Sequence, residues 1–367
     1  MSVVVIAGGG TGGHFFPGLA VAEELASRGV GLAWLGARRG IEAARLSGSA
    51  IPLHLLPVTG AVGRGLAAQL GSAAMLLPAS ASAARYLLHH HASAVLAVGG
   101  YAALPGGLAA GALGVPLVLQ EQNAIPGLAN RFLAPWAVAV ACGFSAAVDR
   151  FPALPATWTG NPVRRAFFAV PPPPPTPLAV AVIGGSQGAA ILNRLLPEAF
   201  ARLAAQGLHL RITHQAGPRW EEETRQRYAA AGVAATVLGF VEDLPAQLAR
   251  CALVVSRSGA ATVSELAAAQ RAALLVPFAA AAHGHQLANA WAYAGTGAAE
   301  VIEEHQASSD TLADRLALLL ASPARLIERG RAGAALARPD AAAVVADLIL
   351  ARALPGATAP HDEEVAT

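Results

Sequence analysis

Lysine is absent from this chain of 367 residues, so its 25 fixed cations are all arginines. Arginine's planar fork suits phosphate contact. GC-rich coding explains the same bias, and the alanine excess with it. Cysteine is nearly absent. Cys142 and Cys251 cannot build a disulfide framework, and a reducing compartment fits such a chain. Charge is scarce: 13% of residues are charged against 54% hydrophobic, the reverse of a disordered scaffold. The net charge is only 25 − 23 = +2, without the dense basic stripe of an obligate nucleic-acid binder, so no nucleic-acid partner is expected. Glycine (38) and proline (25) are plentiful but carry no collagen-like period, which excludes a fibrous architecture.

No basic n-region precedes the strand-like Val3-Val4-Val5-Ile6-Ala7, so no secretory signal is expected. The mean hydropathy is +0.48, and Leu87 to Leu119 contains no Asp, Glu, Lys or Arg. That length suffices to span a bilayer. However, His89, His90 and His91 stand at one end, and Gly99, Gly100, Pro105, Gly106, Gly107, Gly114 and Pro116 interrupt the rest. Two buried strands, Ala94–Val98 and Pro116–Leu119, around a small-residue helix are the better reading.

The length calls for two domains. The first half alternates strands with helices: strand Val3–Ala7, helix Pro17–Ser27, strand Leu32–Leu35, helix Gly40–Leu46, strand Ile51–Leu56, helices Gly65–Leu77 and Ser80–His90, strand Ala94–Val98. The prolines Pro171 to Pro175 mark a boundary. The rhythm then restarts with strand Leu178–Ile183, helix Ala189–Ala204, and strands Leu210–His214, Thr236–Gly239, Leu253–Ser256 and Ala273–Val276. The pattern predicts an α/β chain of two doubly wound Rossmann-like domains facing across a cleft. Residues 1–160 form the first and 161–339 the second. A helix over Asp340–Ala353 packs back on the first, and 354–367 is a disordered tail.

Both halves open with strand, glycine-rich turn and helix. Gly8-Gly9-Gly10-Thr11-Gly12-Gly13 holds the spacing G-x-G-x-x-G, which lets a backbone approach a phosphate or sugar. A nicotinamide dehydrogenase needs an acid after the second strand, but here that strand ends Leu35-Gly36-Ala37-Arg38-Arg39. Gly184-Gly185-Ser186-Gln187-Gly188 repeats the arrangement, with a hydroxyl for a diphosphate. Two such loops suit an enzyme holding a nucleotide-diphosphate donor in one domain and an acceptor in the other. After strand Leu253–Ser256 comes Arg257-Ser258-Gly259-Ala260-Ala261-Thr262-Val263-Ser264-Glu265. Thr262 and Glu265 have capping-box spacing, and Glu265 also suits two ribose hydroxyls.

Gly10-Thr11-Gly12-Gly13-His14 with Pro17-Gly18-Leu19-Ala20 resembles the amino-terminal signature of the MurG family. Further matches follow in family order: Gly99-Gly100-Tyr101, Glu121-Gln122-Asn123, Gly160-Asn161-Pro162-Val163-Arg164, Gly184 to Gly188, Arg257-Ser258-Gly259 with Thr262 to Glu265, and His285-Gln286 with Asn289. The resemblance implies the GT-B glycosyltransferase fold. It implies inverting transfer of N-acetylglucosamine from its UDP donor to the 4-hydroxyl of lipid I (undecaprenyl-pyrophosphoryl-N-acetylmuramyl-pentapeptide), giving lipid II for peptidoglycan. It also implies a peripheral protein on the cytoplasmic face of the inner membrane, with an anionic membrane surface and other cell-wall synthesis proteins as partners and no cofactor. Carried over by position, Thr11, Gly12 and Gly13 lie near the donor sugar and acceptor, and Asn123 and Gln286 contact the sugar hydroxyls. Arg164 and the Val241 backbone lie near the uracil. Ser186 holds the diphosphate, and Ala260, Ala261, Thr262, Val263, Ser264 and Glu265 cover the phosphates and ribose. Many relatives carry an acid before the His-Gln pair, where this chain has Ala279 to Ala282 and then His283. Other readings of the same fold are a UDP-sugar 2-epimerase, a diacylglycerol glycosyltransferase or a non-catalytic carrier-lipid scaffold.

The transfer needs a base for the acceptor hydroxyl and stabilisation of the departing UDP. The chain has no Asp-x-Asp, so a metal-free departure is expected. His14 is the first candidate base, at the turn from glycine loop to helix, and Glu121 is the second. His89 to His91, His283 and His285 lack the spacing of a metal site. His214, at a strand end, reads as structural. The segment Gly65–Leu77, with Leu66, Leu70, Met75, Leu76 and Leu77 between Arg64 and Arg85, reads as an interfacial patch or as a core helix.

Overall fold

The computed structural model describes residues 2–58, 66–173, 178–281 and 284–353, without the side chains of 66–73 and 353. Chain contacts divide it into two compact units. One is Met1–Val163 together with the chain from Arg338 onward, and the other is Arg164–Ala337. The chain crosses between them at Val163/Arg164 and Ala337/Arg338, against 160/161 and 339/340 expected. The proline run is therefore internal to the second unit. Its first member is held there by Arg271, whose guanidinium donates to the Pro171 carbonyl. Pro174, Pro175 and the expected tail 354–367 lie outside the described residues.

The first unit runs β1 (Val3–Ala7), α1 (Gly12–Ser27), β2 (Gly31–Ala37), α2 (Ile41–Arg45), β3 (Leu53–Leu56), α3 (Leu66–His89), β4 (Ala92–Ala97), α4 (Ala103–Leu113), β5 (Leu117–Glu121), α5 (Leu128–Leu133), β6 (Ala139–Cys142) and β7 (Ala156–Trp158). Its strands are parallel in the order β3-β2-β1-β4-β5-β6-β7. Both faces are covered, so the strands read as unbroken apolar runs. Val5, Ala7 and Leu35 face one core, and Val4, Ile6 and Trp34 the other. Each fully buried Val, Leu or Ile among them stabilises the fold by about 1.5–3 kcal/mol. The charge-free stretch 87–119 becomes β4, α4 and the start of β5. Among the described residues no helix is long and apolar enough to cross a membrane.

Two helix expectations are corrected. α1 starts at Gly12, not Pro17, because extended Thr11 caps it and the Thr11 carbonyl already accepts from His14 and Phe15 N–H. Pro17 sits inside the helix and removes one backbone bond there. The two helices expected over Gly65–Leu77 and Ser80–His90 are one, α3, continuous through Pro78.

The second unit runs α6 (Arg165–Phe168), β8 (Ala179–Ile183), α7 (Ala190–Ala205), β9 (Arg211–Gln215), α8 (Glu221–Ala230), β10 (Thr236–Leu238), α9 (Leu244–Ala249), β11 (Leu253–Ser256), α10 (Ala260–Ala268), β12 (Ala272–Leu275), α11 (His285–Ala294), β13 (Ala299–Val301), α12 (Ser309–Leu320) and α13 (Pro323–Gly333). Its parallel order is β10-β9-β8-β11-β12-β13. α14 (Ala341–Ala353) returns to the first unit, where Val345, Ala346 and Ile349 share a core with Phe15, Val21 and Leu25 of α1. An Arg28–Asp347 ion pair closes the α1 end of that contact.

In each unit the strand order reverses next to the first strand, between β1 and β4 and between β8 and β11. Such a switch point leaves a crevice at the carboxyl ends of the two strands. The residues there are Gly8–Gly13 and Gly99–Tyr101 in the first unit, and Gly184–Gly188 and Arg257–Gly259 in the second.

Candidate active site

At the first switch point the glycine loop is built around a carboxylate. Glu42, fully buried on α2, accepts the Gly10 amide at 2.8 Å and the Ala37 amide at 2.6 Å. A Cβ on Gly9 would stand 2.5 Å from Glu42 Oε2, so only glycine lets the loop close over this group. Trp34 Nε1 donates to the Gly8 carbonyl at 2.9 Å. Thr11 is exposed, and Gly12 and Gly13 are half-buried in the first turn of α1. His14 follows them, with Nδ1 3.1 Å from Thr11 Oγ1 and its ring lying over the backbone of Gly99 and Gly100.

Glu121, at the end of β5, is 1% exposed. Its Oε1 accepts the Asn123 amide (2.9 Å) and Asn123 Nδ2 (3.1 Å), and its Oε2 accepts the Gly127 amide (3.0 Å) and Asn130 Nδ2 (2.9 Å). Burial raises its pKa, and those four bonds oppose the rise. A carboxylate whose four acceptor positions are all taken by its own loop is a clamp on that loop. Among the residues it fixes is Asn123.

At the second switch point the loop is open. Gly185, Ser186 and Gln187 are exposed, so the Ser186 hydroxyl faces solvent at the start of α7. Across the crevice α10 begins at Ala260, with extended Gly259 as its N-cap. The capping box expected of Thr262 and Glu265 is thus absent, because both lie inside the helix. The unbonded amides of a helix start belong to its first turn, here Ala260, Ala261 and Thr262. Val263 N–H donates to the Gly259 carbonyl, and Ser264 turns its hydroxyl back to the Ala260 carbonyl at 2.8 Å. Both side chains are buried.

Glu265 is half-buried, and among the described residues no hydrogen bond reaches its carboxylate. Its surroundings withhold solvation and push its pKa up to about 7, with the Arg164 charge pulling the other way. Arg164, the residue before α6, lies over the Phe167 ring, 5.0 Å from its centroid. Val241 is half-buried in the turn between β10 and α9. Gln286 does not point freely: its Oε1 accepts the Phe278 amide at 3.0 Å, and its carbonyl accepts Ser258 Oγ at 2.8 Å. It shapes the 277–281 segment, which Glu304 also ties by accepting the Ala279 amide (2.8 Å) and pairing with Arg257 (3.1 Å). His283, next to that segment, lies outside the described residues.

Sequence reasoning missed Glu42, whose lone acid at a helix start carries no spacing signal. It also missed Asn193 and Tyr228, which partner His214 in the core: His214 Nε2 meets Asn193 Oδ1 and Nδ1 meets the Tyr228 hydroxyl, each at 2.9 Å. Among the described residues no group of three or more His, Cys, Asp or Glu is placed to hold a metal.

Two parallel-sheet units, each with a glycine loop at its switch point, are the build of a GT-B glycosyltransferase. Accordingly, residues 4–142 match the glycosyltransferase family 28 N-terminal domain, and residues 179–345 match the C-terminal domain of that family. The UDP-N-acetylglucosamine–N-acetylmuramyl-(pentapeptide) pyrophosphoryl-undecaprenol N-acetylglucosamine transferase of Xanthomonas axonopodis pv. citri is 41% identical, over 95% of this chain and 82% of its own. The enzyme of that name from Stutzerimonas stutzeri is 42% identical, over 95% and 98%. The crystal structure of Acinetobacter baumannii MurG is 36% identical with a TM-score of 0.77, covering 96% of this chain and 100% of that one. The chain belongs to the MurG family. S. aureus MnaA, 12% identical with a TM-score of 0.67, shares the fold alone.

Proposed function

We propose that this protein transfers N-acetylglucosamine from UDP-N-acetylglucosamine to the 4-hydroxyl of lipid I, with inversion, to make lipid II for peptidoglycan. The observation that carries this is 41–42% identity to transferases of that name over 95% of the chain. The second unit takes the donor. The unpartnered Glu265 carboxylate accepts the ribose hydroxyls, which replace the solvation it lacks. Arg164 and the Val241 backbone flank the uracil. Ser186 and the open amides at Ala260, Ala261 and Thr262 bind the diphosphate and stabilise it as it leaves. The first unit takes the acceptor. His14 is the base: its ring stands over the Gly99–Gly100 backbone with Nδ1 3.1 Å from Thr11 Oγ1, a contact that holds the imidazole and supports the imidazolium that forms. Glu121 positions Asn123 rather than accepting a proton, because four protein donors already occupy it. Asn123 and Gln286 remain the sugar contacts.

An undecaprenol-linked acceptor stays in the bilayer, which supports peripheral attachment, on the cytoplasmic face where UDP-sugars are available. Other cell-wall synthesis proteins are the expected neighbours there. Incubation with UDP-N-acetylglucosamine and lipid I tests the function. Lipid II as product supports it. UDP-N-acetylmannosamine, or N-acetylmannosamine and UDP where water also cleaves the sugar-phosphate bond, would instead make the chain an epimerase.

A further inference from the structure

The open loop at Gly184–Gly188 rests directly on a second stretch of backbone, Ala216–Gly217, which follows β9. The Gly184 amide donates to the Gln215 carbonyl at 3.1 Å. Gly188, at φ +73°, has the Ala216 carbonyl where its Cβ would be. The position of that carbonyl therefore sets the shape of the loop. It is held by Asn193 of α7, whose Nδ2 donates to Ala216 O at 3.0 Å. Because Asn193 uses its amide nitrogen there, its Oδ1 must accept, and His214 Nε2 is the donor 2.9 Å away. His214 Nδ1 is then an acceptor, and the Tyr228 hydroxyl 2.9 Å away is its donor. Every proton in the chain Tyr228–His214–Asn193–Ala216 has one direction only. His214 is fully buried and burial drives its pKa down to about 3, so the imidazole stays neutral and the direction does not reverse.

We propose that His214 and Asn193 are positioning residues for the donor diphosphate: this one-way chain of buried hydrogen bonds fixes the Ala216 carbonyl, and through it the Gly184–Gly188 loop that Ser186 presents. The proposal rests on reading that loop as the diphosphate seat. The support is uncharged, so it shapes the loop without repelling the anion above it. The uridine half of the donor is held elsewhere, at Glu265 and Arg164, and does not feel the chain directly.

The test compares UDP with uridine, by calorimetry, in folded variants. Asn193→Asp keeps the size but replaces the donor facing Ala216 O with an acceptor. His214→Phe removes the donor to Asn193. Each should weaken UDP binding at least tenfold and change uridine binding less than twofold. His214→Gln restores a donor to Asn193 and should recover most of the UDP affinity. Proportional loss for both ligands, or no loss, overturns the proposal. If the first two variants fail to fold, Tyr228→Phe, which removes one hydroxyl, should still lower UDP affinity about threefold with uridine unchanged, and an unchanged UDP affinity then overturns it. Ser186→Ala separates the two layers. If it narrows the gap between UDP and uridine while Asn193→Asp does not, the positioning role alone fails. If it leaves the gap intact, the loop is not the diphosphate seat and both ideas fall.

Discussion

The two glycine loops occupy equivalent places, each after the first strand of its sheet and beside the switch point, yet they are supported oppositely. Beneath the first lies a carboxylate, Glu42, which already takes the Gly10 amide. Beneath the second lies a neutral chain ending at Asn193, and Ser186 above it is exposed. A phosphate at the first loop would meet a built-in negative charge within the same few ångströms. At the second the support beneath the loop is uncharged. The G-x-G-x-x-G spacing thus permits close backbone approach, while the side chain underneath decides whether an anion is welcome.

The sharpest way to break this comparison is at the residues each loop serves. His14→Ala should lower kcat by roughly 10²–10⁴ and leave UDP affinity within twofold, as loss of a general base does. A near-normal kcat would pass proton removal to water or to the acceptor itself. Steady-state kinetics with calorimetry of UDP decide it.

Next in size is Glu265→Ala, which should raise the donor KM well over tenfold, because two hydrogen bonds to a charged group are worth roughly 1.5–3 kcal/mol each. With the capping role gone from the structure, an unchanged KM would leave Glu265 without a function in binding. The pKa near 7 adds a pH signature. Ribose hydroxyls donate to the ionised form, so binding requires loss of the proton. Uridine, which does not itself titrate in this range, should therefore bind about tenfold more weakly at pH 6 than at pH 8, and in Glu265→Gln that dependence should vanish. For folding the sign is reversed: a raised carboxyl favours the native state while protonated, and that share is lost as pH rises from the unfolded value through about 7.

A smaller effect sharpens the contrast between the supports. Glu42→Gln keeps the length but turns one accepting oxygen into a donor facing a backbone N–H. Turnover of lipid I should fall about tenfold, as expected for loss of a charge-assisted bond worth ~1.5 kcal/mol. UDP affinity should stay unchanged, because Glu42 lies in the other unit from Glu265 and Ser186. Equal losses in both would mean that the first loop also carries the donor.

The doubly wound sheets were legible because parallel strands buried on both faces leave unbroken apolar runs between glycine turns. Strand Leu253–Ser256 was read to the residue. Helix starts were not, because Thr11 and Gly259 cap with extended backbone rather than with a side-chain bond. Glu265 and Ser186 stood out through their position after strands and glycines. Glu121 stood out too, but its role turned on four donors within nine residues of chain, which spacing does not reveal. Glu42 and Asn193 act through contacts 32 and 23 residues away, visible only once the sheets are assembled.

The smallest expected effect concerns the first unit. On α3, Leu77 is 81% exposed and Met75 38%, Leu76 is half-buried and Arg85 is exposed, while Leu66, Leu70 and Arg64 lie outside the described side chains. An exposed leucine on a helix that also carries an exposed arginine is costly in water and favourable at an anionic bilayer surface. If the first unit docks there, binding to anionic vesicles should fall with added salt but not vanish. Each arginine near the surface contributes about 1 kcal/mol that salt screens, and apolar insertion is insensitive to it. Leu76→Glu with Leu77→Glu should weaken vesicle binding severalfold and raise the KM for bilayer-embedded lipid I. The KM for a soluble short-chain acceptor should not move, nor should UDP affinity, since neither involves the membrane. Loss with both acceptors would place these leucines in the acceptor site. Absence of vesicle binding at low salt, in the unaltered protein, would end the docking idea whatever the variants do.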